Sequence, residues 1–311
     1  MFNKYVKLFN KLKNNRFQSI DLESFAIVAT FFSLWLSVFF ESYIEDVLAF
    51  ILILTFGILH GSNDIKLLER SSTKMKTKKE LLKASFYYAA FIMGSALLFY
   101  FVPALTLFLF VLFSGYHFGE QHWISKIEQR SIVNIIFIFI YGIFILFLIF
   151  SAHSVEVTQV IDKISGYGIP HTFYASGVLV LGVFTGLIGI FGYFKKNMVF
   201  NPWKQLFFLF VFYIVFNTAS LMWSFAIYFI FWHSLPSMLD QTRYLYGKVS
   251  MVTIKKYAIS SFPYWLVSVL GMGIFIYLFR DKPEASLALF FSFLAAITFP
   301  HVLVINRLYK S

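Results

Sequence analysis

Residues 131–151, SIVNIIFIFIYGIFILFLIFS, run without a single charged side chain. A helix needs about 20 predominantly apolar residues to cross the hydrocarbon core of a bilayer, and this stretch has that length. Residues 198–219 form a second such run with few interruptions. The whole chain fits the pattern: 59% of residues are hydrophobic, 13% are charged and the mean hydropathy is +0.75. Soluble domains carry roughly 25% charged residues, so that class is excluded. The expected fold is all-α, a polytopic transmembrane helix bundle.

Ten spans are expected, at about 24–41, 47–63, 84–101, 103–119, 132–152, 173–193, 204–221, 223–239, 258–279 and 285–304, from runs near membrane length. Tight junctions at Pro103 and at Asn217–Trp223 leave room for eight or nine. Lys and Arg gather in cytoplasmic loops, and that rule tests the count. With both termini cytoplasmic, only Lys163, Arg280 and Lys282 of the 26 basic residues fall outside. Residues 1–23 then read as a basic, amphipathic cytoplasmic segment (Lys4, Lys7, Lys11, Lys13, Arg16), and residues 24–311 as one transmembrane helical domain. No small-residue cleavage site follows the first apolar run, so it reads as a retained span. The net charge of +11 is a topology signal with anionic-lipid contact, not a nucleic-acid surface. The stretch Ser154–Pro170 is expected to be an outer loop, with His153 and His171 solvated in or beside it.

There is no cysteine, so disulfides, iron–sulfur clusters and thiol nucleophiles are excluded, and histidine is left as the natural metal ligand. His60, His117, His233 and His301 each sit near the inner end of a different expected span, all four spans running outward to inward. An ionisable side chain in hydrocarbon is costly and marks a functional site by default. Four imidazoles at one level, on helices about 8–10 Å apart, point to a metal site. Asp64, four residues after His60, and Glu120, three after His117, lie on the corresponding helical faces. Asp240 follows His233 by seven, beyond Pro236. These carboxylates either hold the second ring nitrogen of a ligating histidine or end helices in the interface. His122 is five residues from His117, roughly 140° around the helix, and should face elsewhere. Gly57, Gly61, Gly115 and Gly119 either admit close approach of a ligand or pack helices. Among the 43 Phe, the aromatic residues beside the histidines (Tyr116, Phe118, Trp123, Phe231, Trp232, Phe299) would suit the walls of a cavity for a long conjugated hydrocarbon.

Four segments carry a family resemblance: Gly57-Ile-Leu-His60-Gly61-Ser-Asn-Asp64, Ser114-Gly-Tyr-His117-Phe-Gly119, Phe231-Trp-His233-Ser234-Leu-Pro236 and Phe299-Pro300-His301. In this order, through nearly the whole chain, they resemble the bacterial and archaeal β-carotene 15,15'-dioxygenases of the Brp/Blh family. The resemblance implies an integral membrane enzyme of the inner (plasma) membrane using Fe(II) and O2. Its substrate would be β-carotene, cleaved at the central double bond into two all-trans-retinal that serve a microbial rhodopsin. His60, His117 and His233 inherit a ligand role from the motifs. Family members often carry a further His four residues after the third motif's His, where this chain has Ser237, and His301 is the best substitute. The oxygen chemistry would belong to iron, with no separate acid or base.

Other classes leave different marks. Membrane di-iron desaturases use His-x-x-x-His clusters, and none of the seven histidines here forms such a pair. A b-type haem protein with bis-His sites would show a Soret band. A proton-relay transporter, or a carotenoid- or retinal-binding protein without catalysis, would need no iron.

Overall fold

The computed structural model describes residues 22–72, 77–128, 131–278 and 286–310. Most of the N-terminal basic segment, together with Arg280 and Lys282, lies outside the described residues. The described residues are mostly helical and form no strand beyond one isolated antiparallel bridge between Ile127 and Met198. In order the helices are α1 (Leu22–Phe39), α2 (Ser42–Leu52), α3 (Ile58–Gly61), α4 (Asp64–Ser71), α5 (Lys78–Phe101), α6 (Pro103–Trp123) and α7 (Ile132–Ala152). There follow α8 (Ser154–Ser165), α9 (His171–Phe194), α10 (Pro202–Thr218), α11 (Leu221–Ile227), α12 (Leu235–Tyr246), α13 (Met251–Leu278) and α14 (Ser286–Lys310). Only helices and closed barrels satisfy every backbone group in lipid, and the apolar runs take the first solution.

Seven helical stretches are long and apolar enough to cross a membrane: Leu22–Phe39, Ser42–Ser71, Lys78–Phe101, Ile132–Ala152, His171–Phe194, Met251–Ile274 and Ala288–Arg307. They make this a membrane protein. The other three expected spans are also helical, as α6, α10 and the stretch from α11 through α12. Large apolar side chains such as Val28, Phe86, Phe101, Leu179, Phe194 and Val267 stand exposed on these helices, the arrangement of a surface meeting lipid.

Local signals set the helix starts. Thr77 and Glu80 form a reciprocal capping box at the head of α5. Asn201 caps α10, with Pro202 in the first turn where its missing N–H costs nothing. Ser220 caps α11, its side chain accepting from the Trp223 N–H. The Ser220 backbone N–H donates to Glu45 at 2.6 Å and its hydroxyl donates to Asp46 at 2.8 Å, tying α11 to α2.

Two departures from the expected fold bear on function. Ser154–Ser165 is a helix, not a loop: Val157, Ile161 and Ile164 recur at helical spacing and Val157 is buried. His153, at its start, is half-buried and its Nε2 lies 3.2 Å from the Ser224 hydroxyl, while His171 is exposed as expected. Second, two spans leave the α ladder for a π turn, at Ile53–Gly57 between α2 and α3 and at Tyr228–Ser234 between α11 and α12.

The described residues divide into two compact units interleaved along the chain. One comprises the described residues through Ile53 with Ser114–Thr158 and Pro170–Pro236. The other comprises Leu54–Phe113, Gln159–Ile169 and the described residues from Ser237 onward. In the first, α7 packs along α9, and α11 along α2; in the second, α14 packs along α5 and α4, and α13 along α3.

Candidate metal centre

In the first unit His117 sits on α6 between Gly115 and Gly119. Those glycines press α6 backbone-to-backbone onto α7: a Cβ at Gly119 would lie 1.9 Å from the Ile138 carbonyl oxygen, and one at Gly142 would lie 1.7 Å from that of Gly115. Both therefore serve helix packing. His117 lies two residues from each, about 200° around the helix, on the face turned away from α7. His233 lies within the second π turn, and its ring meets that of His117 edge-on, centroids 4.5 Å apart. Phe229 stacks on His233 at 5.6 Å and 14°, and Phe118 packs at 4.8 Å on one side and against Tyr228 at 5.6 Å on the other. The Tyr116 hydroxyl donates to Glu120 at 3.0 Å, one turn along the same helix, and the Glu120 side chain is buried.

Trp232, next to His233, turns to α1. Its indole N–H donates to the Thr30 hydroxyl at 3.0 Å and its ring packs on Phe208 and Phe212. Phe231 is half-buried. His122 is buried, with Nε2 at 2.8 Å from the Gln205 side-chain oxygen and its ring beside Tyr141, Trp123 and Trp232. It anchors α6 to α10. Close by, Glu23 receives ion pairs from Lys126 at 3.0 Å and Lys204 at 2.5 Å.

In the second unit His60 follows the first π turn and is buried. Its Nδ1 hydrogen-bonds the Gly57 carbonyl, which can only accept, so the proton sits on Nδ1 and the ring lone pair on Nε2. Its own carbonyl accepts from the Tyr257 hydroxyl at 3.1 Å, and that hydroxyl is also 2.7 Å from the Gln241 side-chain oxygen. Gln241 in turn donates to Ser237 at 3.0 Å. After His60 the helix breaks at Ser62–Asn63. Asn63 is fully buried and bonded to α13: its amide donates to the Tyr257 carbonyl and to Ser261, and its oxygen accepts from Ser260 at 2.8 Å.

The break turns Asp64 onto His301. His301 Nδ1 lies 2.9 Å and 3.1 Å from the two Asp64 oxygens, and the Tyr88 hydroxyl donates to Asp64 at 2.6 Å. The His301 ring meets that of His60 edge-on, centroids 4.7 Å apart. A Cβ at Gly61 would sit 3.6 Å from His301 Nδ1, an ordinary contact, so the ring's approach does not require glycine there. Phe299 is buried with Phe99 and Ala295 and packs edge-on against Phe113 at 5.7 Å. Asp240 pairs with Arg243 at 3.2 Å.

His60, His117 and His233 form one group: each offers a ring nitrogen, and the three nitrogens lie within 4.8 Å of one another, all buried. Buried imidazole nitrogens with no thiolate among them suit Fe, Zn, Cu or Ni, so the donor set fits a divalent ion. Sequence reading did not anticipate the π turns, nor Tyr88, Tyr257, Asn63 and Gln241. A π turn shifts the helical register by one residue and recurs at functional sites, but composition carries no trace of it.

Fold and site together define an α-helical membrane protein with a buried three-histidine group able to hold a metal. A family model described as beta-carotene 15,15'-dioxygenase matches residues 51–309, and the chain belongs to that family. It is accordingly an enzyme with β-carotene dioxygenase activity. No curated protein and no solved structure matches the chain.

Proposed function

We propose that this chain binds one Fe(II) on His60, His117 and His233, with His301 as fourth ligand, and cleaves the central 15,15' double bond of β-carotene with O2. One polyene and one O2 give two all-trans-retinal, each aldehyde taking one oxygen atom. The observation that carries this is the buried convergence of three imidazoles in a chain of this family. Iron, when bound, supplies the site at which O2 is activated next to the polyene.

The chain's own residues do the rest. The Gly57 carbonyl holds His60 in the tautomer that offers Nε2, so no reorientation is needed on binding. The glycine-mediated seam of α6 on α7 fixes the height of His117. Phe229 and Phe118 pack against His233 and keep water from it. Tyr116, Phe118, Phe231, Trp232 and Phe299 are the aromatic side chains assigned to the substrate walls, Trp232 and Phe299 through the packing that holds those walls. Glu120 and Asp240 support the helices that carry His117 and His233. No side chain is assigned as an acid or base. Specificity for one double bond then follows from how the rod is laid down, and held geometry of this kind is worth several orders of magnitude in rate.

A wholly apolar substrate of membrane length enters laterally from lipid. The charge pattern supports ten spans, cytoplasmic termini and a metal site toward the cytoplasmic side of the inner membrane. Retinal released into the bilayer can reach a microbial rhodopsin. The test is aerobic incubation of detergent-purified, Fe(II)-loaded protein with β-carotene, with products read by chromatography beside His60→Ala. Retinal as sole product, lost in the variant, is the expected result. Intact β-carotene in both samples, with iron bound, would refute it.

A further inference from the structure

Helix α13 holds the segment around His60 wherever that segment leaves the α ladder, and all of these contacts lie within one compact unit. The first is at the π turn Ile53–Gly57, where the Trp265 indole N–H donates to the Leu54 carbonyl at 2.7 Å. The second is at α3, a helix of only four residues, where the Tyr257 hydroxyl lies 3.1 Å from the His60 carbonyl. The last carbonyls of a helix have no intrahelical N–H to accept from, and a side chain supplies the donor here. The third is at the break after α3, where the Asn63 amide donates to the Tyr257 carbonyl at 3.2 Å and to the Ser261 hydroxyl. Tyr257 and Trp265 stand about 12 Å apart along α13. They meet Leu54 and His60 in antiparallel order, on helices that pack together.

Packing alone does not call for these groups. Tyr257 is 1% exposed, a buried hydroxyl costs free energy unless it is hydrogen-bonded, and phenylalanine would fill the same space. Irregular backbone at membrane depth is tolerated only where surrounding protein buries it and supplies partners. Here the partners come to the main chain of a residue in the three-histidine group. The one proton of the phenol is shared between the His60 carbonyl and the Gln241 side-chain oxygen, 2.7 Å away. Gln241 lies on α12, which follows directly on the turn holding His233. A single hydroxyl therefore ties the main chain of His60 to the helix that continues from His233.

We infer that Tyr257 and Trp265 are positioning residues for His60: they fix where its main chain stands, while the Gly57 carbonyl fixes only the rotation of its ring. This rests on the metal reading of the site. Neither side chain belongs to the three-histidine group, so each acts on a bound ion through His60.

The test uses the full-length protein in detergent micelles under anaerobic conditions, with Fe(II) or Co(II) alone as the probe. Fe(II) affinity is read by competition with a chromogenic chelator, coordination geometry by the visible absorption of bound Co(II), and stability by thermal unfolding. Tyr257→Phe keeps the ring and removes the hydroxyl. It is expected to weaken Fe(II) binding about 10-fold, the lower end for groups that orient a ligand, and to change the Co(II) spectrum. Trp265→Phe is expected to change the spectrum with a smaller loss of affinity, and serves if the first variant does not fold. Ser220→Ala, which removes a helix cap instead, should lower the melting temperature and leave both metal readouts as in the parent. Parent affinity and parent spectrum in both Tyr257→Phe and Trp265→Phe would overturn the positioning role and leave the metal centre standing. So would weakened binding with the parent spectrum at saturation, the mark of a general loosening of the fold. Failure of the parent protein to take up Fe(II) would overturn the metal reading, and this inference with it.

Discussion

Gly119→Ala is the sharpest probe of how the scaffold sets the site. The added Cβ would lie 1.9 Å from the Ile138 carbonyl oxygen and 2.9 Å from its carbon. Carbon contacts are comfortable at about 3.5 Å, so α6 and α7 must part by roughly 1.5 Å at this point. The obstacle is backbone, which cannot rotate away, so the upper end of the usual overpacking cost applies, about 3 kcal/mol. Alanine's better helix propensity offsets about 1 kcal/mol of that, leaving a net loss of about 2 kcal/mol. His117 sits two residues away and rides with α6. A 1 Å misplacement near the chemistry can cost about 10²-fold in rate, and turnover should fall by that order even where the protein folds. Gly94→Ala in α5 is the control, because nothing lies within 4 Å of its Cβ, and it should be neutral or slightly stabilising. Thermal unfolding in detergent and retinal formation from β-carotene are the two readouts. If Gly119→Ala melts and turns over like the parent, the close seam between α6 and α7 is not what positions His117.

Chelation of the metal should abolish cleavage, and Fe(II) added back should restore it while Zn(II) should not; activity surviving exhaustive chelation counts against a metal enzyme. Ser220→Ala removes the cap of α11 and the hydrogen bond to Asp46, and should lower stability by about 0.5–2 kcal/mol with little effect on Fe(II) affinity. A wild-type melting temperature would show that the cap is dispensable. Ser237→His, placed four residues after His233, should recover part of the Fe(II) content lost in His301→Ala; metal analysis at the level of the single variant would refute that exchange.

Much of the architecture could be read from the chain because lipid leaves so few solutions. An apolar run such as 131–151 must be a helix, and it is, as Ile132–Ala152. The grouping of His60, His117 and His233 was legible for the same reason: a polar residue in such a run has few reasons to be there. What escaped depends on register and on distant partners. Counting 3.6 residues per turn puts Asp64 beneath His60, but the break at Ser62–Asn63 delivers it to His301, 237 positions along the chain. Tyr88 and Tyr257 look like any other aromatic residue of an apolar helix, and only the fold gives their hydroxyls something to hold. Ser154–Ser165 carried a helical pattern, Val157, Ile161 and Ile164, which its polar residues and its place between two long spans obscured.

The π turns at Ile53–Gly57 and Tyr228–Ser234 make these two stretches sensitive to length more than to identity. Each holds one residue more than a plain α-helix would need to cover the same rise. Removing any one residue from 228–234 would let the ladder close into ordinary α geometry, a change favourable to the helix taken alone. The flanking helices would keep nearly their orientation, because one residue fewer at the tighter α winding turns through about the same angle, but the residues inside the turn, His233 among them, would lose their present places opposite His117. Apolar exchanges along these turns should therefore be well tolerated during divergence, whereas insertions and deletions should be purged. The spacing of the histidine-bearing segments is thus inherited as a fixed length, even where the letters between them drift.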